Sequence, residues 1–162
     1  MKETAEYPLV DKFAFRQAEN SDLPLVEDIF IAAMRPYIES ARGSWDVARE
    51  REQFRRQLVL GSTEVVQTSA GNVGFLTLLP HDEGLELHTL CIDPAHQGLG
   101  LGASVIRHIL SAPRARGQTV LLSVLRTNPR AQAFYERLGF VVCGGSEHHI
   151  RMSITRSARS EA

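Results

Sequence analysis

The chain has 162 residues, with 18 Lys and Arg against 19 Asp and Glu, for a formal net charge of −1. That length suits one domain with a core of its own, and both signs of charge are mixed along it, which excludes the basic footprint of a nucleic-acid binder. No apolar run approaches the roughly 20 residues needed to cross a bilayer.

Phe13 to Arg16 reads as a first strand. Asn20-Ser21-Asp22 then offers an N-cap, and Leu25, Val26, Ile29, Phe30, Ala33 and Met34 recur at helical spacing. Pro36 is expected to end or kink that helix. Gly43-Ser44 breaks the chain before a second helix over Asp46 to Leu58, rich in Arg and Glu, which Gly61-Ser62 ends. Strands follow at Glu64 to Thr68 and Val73 to Leu79 around a hairpin turn at Ser69 to Asn72, and again at Leu85 to Ile92. A glycine-rich turn leads into a third helix carrying Val105, Ile106, Ile109 and Leu110, then a strand from Thr119 to Leu125. Asn128 caps a fourth helix with Pro129 at its first position, Ala131, Phe134, Tyr135 and Leu138 on one face, and Gly139 as its C-cap. Phe140 to Cys143 and His149 to Ile154 finish a sheet. The order β-α-α-β-β-β-α-β-α-β-β implies one α/β domain over residues 12–154, a mixed sheet with helices on its faces. The polar ends, 1–11 and 155–162, are expected to be loose.

The most informative segment is Gln97-Gly98-Leu99-Gly100-Leu101-Gly102-Ala103, placed between a strand and an amphipathic helix. The first N–H groups of a helix lack internal partners, and together with the positive end of the helix dipole they attract anions. Glycines at alternate positions let a pyrophosphate approach the backbone. The plainer role of such glycines is to turn the chain. Gly98-x-Gly100-x-x-Ala103 also fits the dinucleotide fingerprint, which points to a nicotinamide-dependent oxidoreductase. That motif places its first glycine directly after the strand, whereas Asp93-Pro94-Ala95-His96-Gln97 intervenes here. It also needs an acidic residue at the end of the next strand, where Arg126-Thr127-Asn128 stands. No Gly-Lys-Ser/Thr occurs, which excludes a P-loop.

The spacing Gln/Arg-x-x-Gly-x-Gly/Ala is filled by Gln97, Gly100 and Gly102. On these residues, on the Asp93-Pro94 exit, and on the segment Asn128 to Phe140, the chain resembles the GNAT superfamily of acetyl-CoA-dependent N-acetyltransferases. The resemblance covers residues 85–140, and the element order extends it over most of the chain. One position departs: members often carry a basic residue where Leu99 stands. The resemblance implies a mixed, mostly antiparallel sheet of about seven strands with four helices, the fourth and fifth strands splaying to hold acetyl-CoA as co-substrate. It implies cofactor contacts from Leu90, Cys91 and Ile92, from Gln97, Gly98, Leu99, Gly100, Leu101, Gly102 and Ala103, and from Asn128 and Tyr135.

The implied reaction moves an acetyl group directly to a primary amine of a small molecule or peptide in a ternary complex. A non-catalytic acetyl-CoA sensor is the alternative. Tyr135 matches the tyrosine that many members use as general acid, although its helical spacing alone makes it a core aromatic. A phenol stays protonated at neutral pH and can donate to a thiolate. Glu86 and His88 alternate with Leu85 and Leu87, share one strand face, and are candidates for the general base; a solvated sheet face carries the same pattern. His148-His149 is a third candidate, but adjacent residues of an extended strand point to opposite faces, so the two are not expected to line one cleft.

In the family the first two helices and their connection wall the acceptor. Here that segment, Met34 to Asp46, reads as loop-like and presents Arg35, Tyr37 and Trp45 as candidate substrate-binding residues. The six histidines are scattered and no Cys/His spacing occurs, so no metal is expected. Cys91 and Cys143 fall in strands and read as buried free thiols. With no apolar leader at Met1 to Glu6, the expected compartment is a reducing cytoplasm. Expected partners are the amine acceptor and, since family members often pair, a second copy as a homodimer; no membrane or nucleic acid is expected.

Overall fold

The structure is a computed structural model that describes residues 13–112, 115 and 117–155. Its elements are β1 (Ala14–Gln17), α1 (Leu23–Arg42), α2 (Val47–Gln57), β2 (Thr63–Thr68), β3 (Gly71–His81), β4 (Gly84–Ile92), α3 (Leu101–Ser111), β5 (Thr119–Leu125), α4 (Pro129–Arg137), β6 (Val141–Gly145) and β7 (His149–Thr155). The expected order of strands and helices is present. The strands form one 7-stranded sheet in the order β1-β2-β3-β4-β5-β7-β6. Every neighbouring pair is antiparallel except β4 with β5.

Helices cover both faces because the strands alternate two apolar sets. Leu76, Leu78, Leu87, Val120, Leu122, Val124 and Met152 pack in a core with Leu101, Val105, Ile106 and Ile109 of α3 and Tyr135 of α4. Phe75 and Cys91 face the other way, against Val26 and Ile29 of α1 and Phe54 of α2. On that second face Phe54 stacks on Phe30 with ring centroids 4.4 Å apart.

Two local features set the geometry that matters. The parallel pairing of β4 and β5 covers only Gly84↔Thr119, Leu85↔Val120 and Glu86↔Leu121. Past Glu86 and Leu121 the two strands part, as the resemblance implied. The second feature, absent from the sequence reading, is a β-bulge. The register of β3 with β4 slips between Thr77 and Leu78, which pair with Thr89 and Leu87 and leave His88 as the extra residue. A bulge shifts the side-chain parity of its strand. Before it, Leu87 enters the α3 side; after it, Cys91 enters the α1–α2 side and Ile92 the α3 side.

Several expectations change. Pro36 neither ends α1 nor leaves a loop, since the helix runs through it to Arg42. A proline inside a helix loses one hydrogen bond and crowds the preceding turn, so contacts further on must hold the continuation. Ile38 is buried, Thr127 Oγ1 donates to the Tyr37 carbonyl at 2.7 Å, and Gly43 closes the helix at φ +73°, donating to the Glu39 carbonyl. The Asp22 side chain makes no cap bond to α1; Arg16 takes it bidentately at 2.7 and 2.8 Å, with the Glu19 N–H. Asp46 and Asn128 do cap α2 and α4, accepting from the Arg49 and Ala131 N–H groups. Cys143 is exposed, because β6 is the sheet's edge and each of its residues is exposed. Thr155, expected in the loose end, pairs with Thr119 and closes β7. The expected loose segments 1–11 and 156–162 lie outside the described residues.

A buried ion-pair cluster joins α1 to α2. Glu27, 2% exposed, accepts from Arg55 Nε and Nη2 and from Arg51 Nη1, while Arg51 Nη2 reaches Asp28 at 2.8 Å. The guanidinium of Arg55, then that of Arg51, holds the Glu27 carboxyl below its ordinary range against the opposing effect of burial. A carboxyl depressed in the folded state stabilises above its unfolded value and loses that contribution as pH falls. Glu27→Gln is therefore expected to lower stability by about 2 kcal/mol at neutral pH. In denaturant titrations the gap to wild type should narrow below the ordinary value of 4.5; a gap independent of pH would remove the ionised carboxylate from the account.

Candidate active site

The chain leaves β4 through Asp93, whose N–H donates to the Val73 carbonyl at 2.8 Å and whose side chain accepts from Ala95 N–H. Gln97 then turns back, its Nε2 donating to the Ile92 carbonyl at 2.8 Å. This side chain pins the entrance of the glycine turn to the end of β4. Gly98 and Gly100 adopt φ of +80° and +82°, which favours glycine at both. A Cβ on Gly98 would meet nothing within 4 Å, so its surroundings are open. Gly102, the second residue of α3, lies 3.5 Å, measured from an ideal Cβ, from the ring of Phe134 and lets α3 approach α4 closely. The first bond of α3 runs from Ser104 N–H to the Gly100 carbonyl. Among the described residues no acceptor meets the N–H groups of residues 98–103. Six donors in a row without an internal partner at a helix start make this turn a candidate anion site.

Where β4 and β5 part, a cavity of about 730 Å³ opens. It runs through the gap, from Asn128, Ala131 and Tyr135 of the α4 side to Met34, Ile38 and Arg42 of α1 and Phe54 of α2. Glu86, His88, Leu90 and Cys91 line it from β4. His88 Nδ1 and Glu86 Oε1 lie 3.4 Å apart, both side chains about one-third exposed at 34% and 35%. Glu86 and His88 face the cavity by alternation about Leu87, and the bulge at His88 turns Cys91 to the same side. Tyr135 is buried, with its ring edge-on to Phe134 and Phe140 at centroid distances of 5.0 and 5.4 Å. Burial, with a smaller contribution from nearby Cys91, pushes the Tyr135 phenol well above its usual range. Burial also pushes the Cys91 thiol up to about 12. Both groups therefore keep their protons at neutral pH.

A family model described as an acetyltransferase (GNAT) domain matches residues 61–142. The chain belongs to the GNAT family. The N-alpha-acetyltransferase RimI of Mycobacterium tuberculosis (strain ATCC 25618 / H37Rv) is 40% identical over 68 residues, 42% of each chain. The 5-NmdU N-acetyltransferase of Pseudomonas phage PaMx11 is 50% identical over 50 residues, 31% of this chain and 34% of that one. The chain thus spans less than half the length of these curated relatives. Among solved structures, the ribosomal-protein-S18-alanine N-acetyltransferase of Escherichia coli superposes with a TM-score of 0.67 at 21% identity, over 93% of this chain and 97% of that one. The PaiA N-acetyltransferase of Thermoplasma acidophilum, in complex with coenzyme A, gives 0.63 at 19%, over 89% and 99%. At such identity these two likenesses are of fold.

The GNAT fold brings together one part of the expected site and leaves another part outside it. Glu86, His88, Leu90, Cys91, Asn128 and Tyr135 share the cavity, and the glycine turn lies at the C-terminal end of β4. Arg35, Tyr37 and Trp45 do not line it. The Arg35 guanidinium sits over the Trp45 ring, 5.4 Å from its centroid, and 3.5 Å from Glu39. From the same segment, Met34, Ile38, Ala41 and Arg42 line the cavity instead. Their spacing continues the apolar stripe of Phe30, a signal visible in the sequence but cut short there at Pro36. His148 and His149 both line the cavity, contrary to the expectation for an extended pair, because His148 lies in the bend before β7 begins. Ser123 and Arg151 line it without having been singled out.

The candidate anion site has a direct test. Gly100→Val places a branched side chain at a left-handed position beside the free N–H groups. Acetyl-CoA affinity by calorimetry is expected to fall more than tenfold, about 1.4 kcal/mol, while unfolding stays cooperative. Unchanged affinity in the folded variant would place the phosphates elsewhere.

Proposed function

We propose that this chain transfers the acetyl group of acetyl-CoA directly to a primary amine of a small molecule or peptide, with both substrates bound together. The observation that carries this reading is the parting of β4 from β5 into a cavity lined by the Glu86–His88 pair and the Tyr135 phenol. The relatives named above are N-acetyltransferases, which supports the reaction class.

The residues present fit the co-substrate, with six unpartnered N–H groups for a pyrophosphate and open space over Gly98. Acetyl-CoA, when bound, supplies an activated thioester. The turn from Gly98 to Ala103 anchors its phosphates, and Gln97 holds that turn in register with β4. Leu90, Cys91 and Ile92 border the gap along their strand edge and orient the acyl end. Backbone N–H groups there polarise a carbonyl at no reorganisation cost. Glu86, backed by His88, takes a proton from the acceptor ammonium and frees the lone pair for attack. Tyr135 gives its phenolic proton to the sulfur as the carbon–sulfur bond breaks, and the proton that the nitrogen sheds on becoming an amide restores the phenol through water. Asn128 serves first as the cap of α4, fixing the helix that carries Tyr135.

Release of free thiol across a panel of amines tests the reaction, and intersecting initial-velocity lines test simultaneous binding. Tight acetyl-CoA binding with no thiol released for any amine would make the chain a sensor. Tyr135→Phe keeps the ring packing and removes one proton. It should leave acetyl-CoA affinity unchanged and lower kcat by roughly 10- to 1,000-fold; full turnover under chemistry-limited conditions would return Tyr135 to a packing role. Glu86→Gln should lose most activity at low pH, where the amine is hardest to deprotonate, and recover in part as pH rises. A uniform loss across the pH profile would argue against Glu86 as the base.

A further inference from the structure

Among the described residues, the carboxylates that line the cavity each have a partner, and Arg42 is taken by one of them. Arg42 meets Glu50 at 2.5 Å, Glu86 meets His88, and His148 stands 4.0 Å from Glu147. Arg151 lines the cavity and faces no carboxylate among the described residues. Its side chain reaches His81 of β3, outside the cavity lining, with Nη2 and Nε2 3.1 Å apart. The other ring nitrogen of His81, Nδ1, faces the Glu83 N–H at 3.2 Å. A neutral imidazole has one N–H and one acceptor nitrogen. His81 therefore has donors at both nitrogens and is one acceptor short. With Nδ1 accepting from Glu83, the Nε2–H of His81 and the Nη2–H of Arg151 become two adjacent donors. An oxyanion accepting from both completes the set.

The sheet places this fork on the same face as the proposed base. Ile150, Met152 and Ile154 of β7 enter the α3-side core, so Arg151 points to the opposite side, as Glu86 does. Arg151 pairs with Ser123, two residues beyond Leu121, which pairs with Glu86. Two strand spacings across and two residues along separate the Cα atoms of Glu86 and Arg151 by roughly 12 Å. Both side chains rise from the same face of the sheet into the cavity, so one small acceptor can meet the carboxylate and the guanidinium together.

We infer that the acceptor is an amine that also bears a carboxylate, the amine at Glu86 and the carboxylate on Arg151 assisted by His81. This rests on the acetyltransferase reading above and names its substrate class. The test uses matched acceptors with saturating acetyl-CoA: L-tyrosine against tyramine, L-histidine against histamine, and the dipeptide amide Ser-Asp against Ser-Asn. In wild type the carboxylated member of at least one pair is expected to have a kcat/KM at least tenfold higher. In Arg151→Met that ratio should collapse toward one, mainly through a rise in KM of about 10- to 100-fold for the carboxylated acceptor. Arg151→Lys should restore part of it, and acetyl-CoA affinity by calorimetry should stay at the wild-type value in both variants. No preference within any pair, or Arg151→Met lowering both members equally, would overturn the inference while leaving acetyl transfer intact. So would an equal loss of acetyl-CoA affinity, which would assign Arg151 to the co-substrate. Absence of thiol release with every amine would instead overturn the acetyltransferase reading itself.

Discussion

The parting of β4 from β5 after three paired positions is the constraint on which the rest of the molecule turns. Two strands inside a sheet normally satisfy each other's N–H and C=O groups, and leaving them apart exposes two inner edges. Such an edge persists in a folded protein when it is short, covered, or matched by something that hydrogen-bonds like a strand. Here it is short on both sides and roofed by α1 and α2, and it opens into the cavity. The bulge at His88 lies where the strands separate. It adds twist to β4 and changes which later residues face the roof, so Cys91 is buried on the same side that Glu86 and His88 reach by alternation. Separation and side-chain placement are therefore one event in the backbone.

The roof is held by contacts of a different kind from those that hold the floor. Beneath the sheet, α3 and α4 meet the strands through a continuous apolar core. Above it, α2 is rich in Arg and Glu, and its attachment to α1 combines one aromatic stack with the Glu27 cluster. A carboxylate that is 2% exposed survives only because two guanidinium groups hold it. The arginines themselves remain partly in water, which lowers the cost of the arrangement. The half of α1 beyond Pro36 depends on this roof as well, through the Ile38 contact and the Thr127 bond to the Tyr37 carbonyl. That bond ties the α1 side of the cavity to the segment between β5 and α4, and so to Asn128 and Tyr135.

Most of the fold was legible in the sequence, because apolar period, caps and glycines mark its elements plainly. The glycine turn, the capping of α4 by Asn128 and the shared face of Glu86 and His88 all follow from short-range rules. What escaped depends on distant contacts. Pro36 reads as a breaker locally, and only tertiary support carries α1 through it to Arg42. With the helix cut short, Arg35, Tyr37 and Trp45 read as the wall, whereas Met34 and Ile38 on the continued stripe line the cavity. The bulge has no local mark, since Thr89 and His88 suit a regular strand. Cys143 reads as buried by residue type and is exposed because β6 is an edge, which only the strand order reveals. Arg151 could not be singled out without knowing that β7 lies beside β5.

Tyr135 shows why periodicity and chemistry need not compete at such a position. Its ring belongs to the core, edge-on to two phenylalanines, and its spacing along α4 is that of any packed aromatic. The same burial that makes it a core residue drives its phenol up and keeps it protonated. Keeping water from Tyr135 therefore serves packing and also keeps the phenol protonated, as the proposed donor must be. The opposite choice is made across the gap, where Glu86 and His88 stay about one-third exposed, in contact with solvent and with each other. The cavity thus runs from a solvated stretch at Glu86 and His88 to a buried stretch at Tyr135. That gradient is set by which helices cover which stretch of the parted strands.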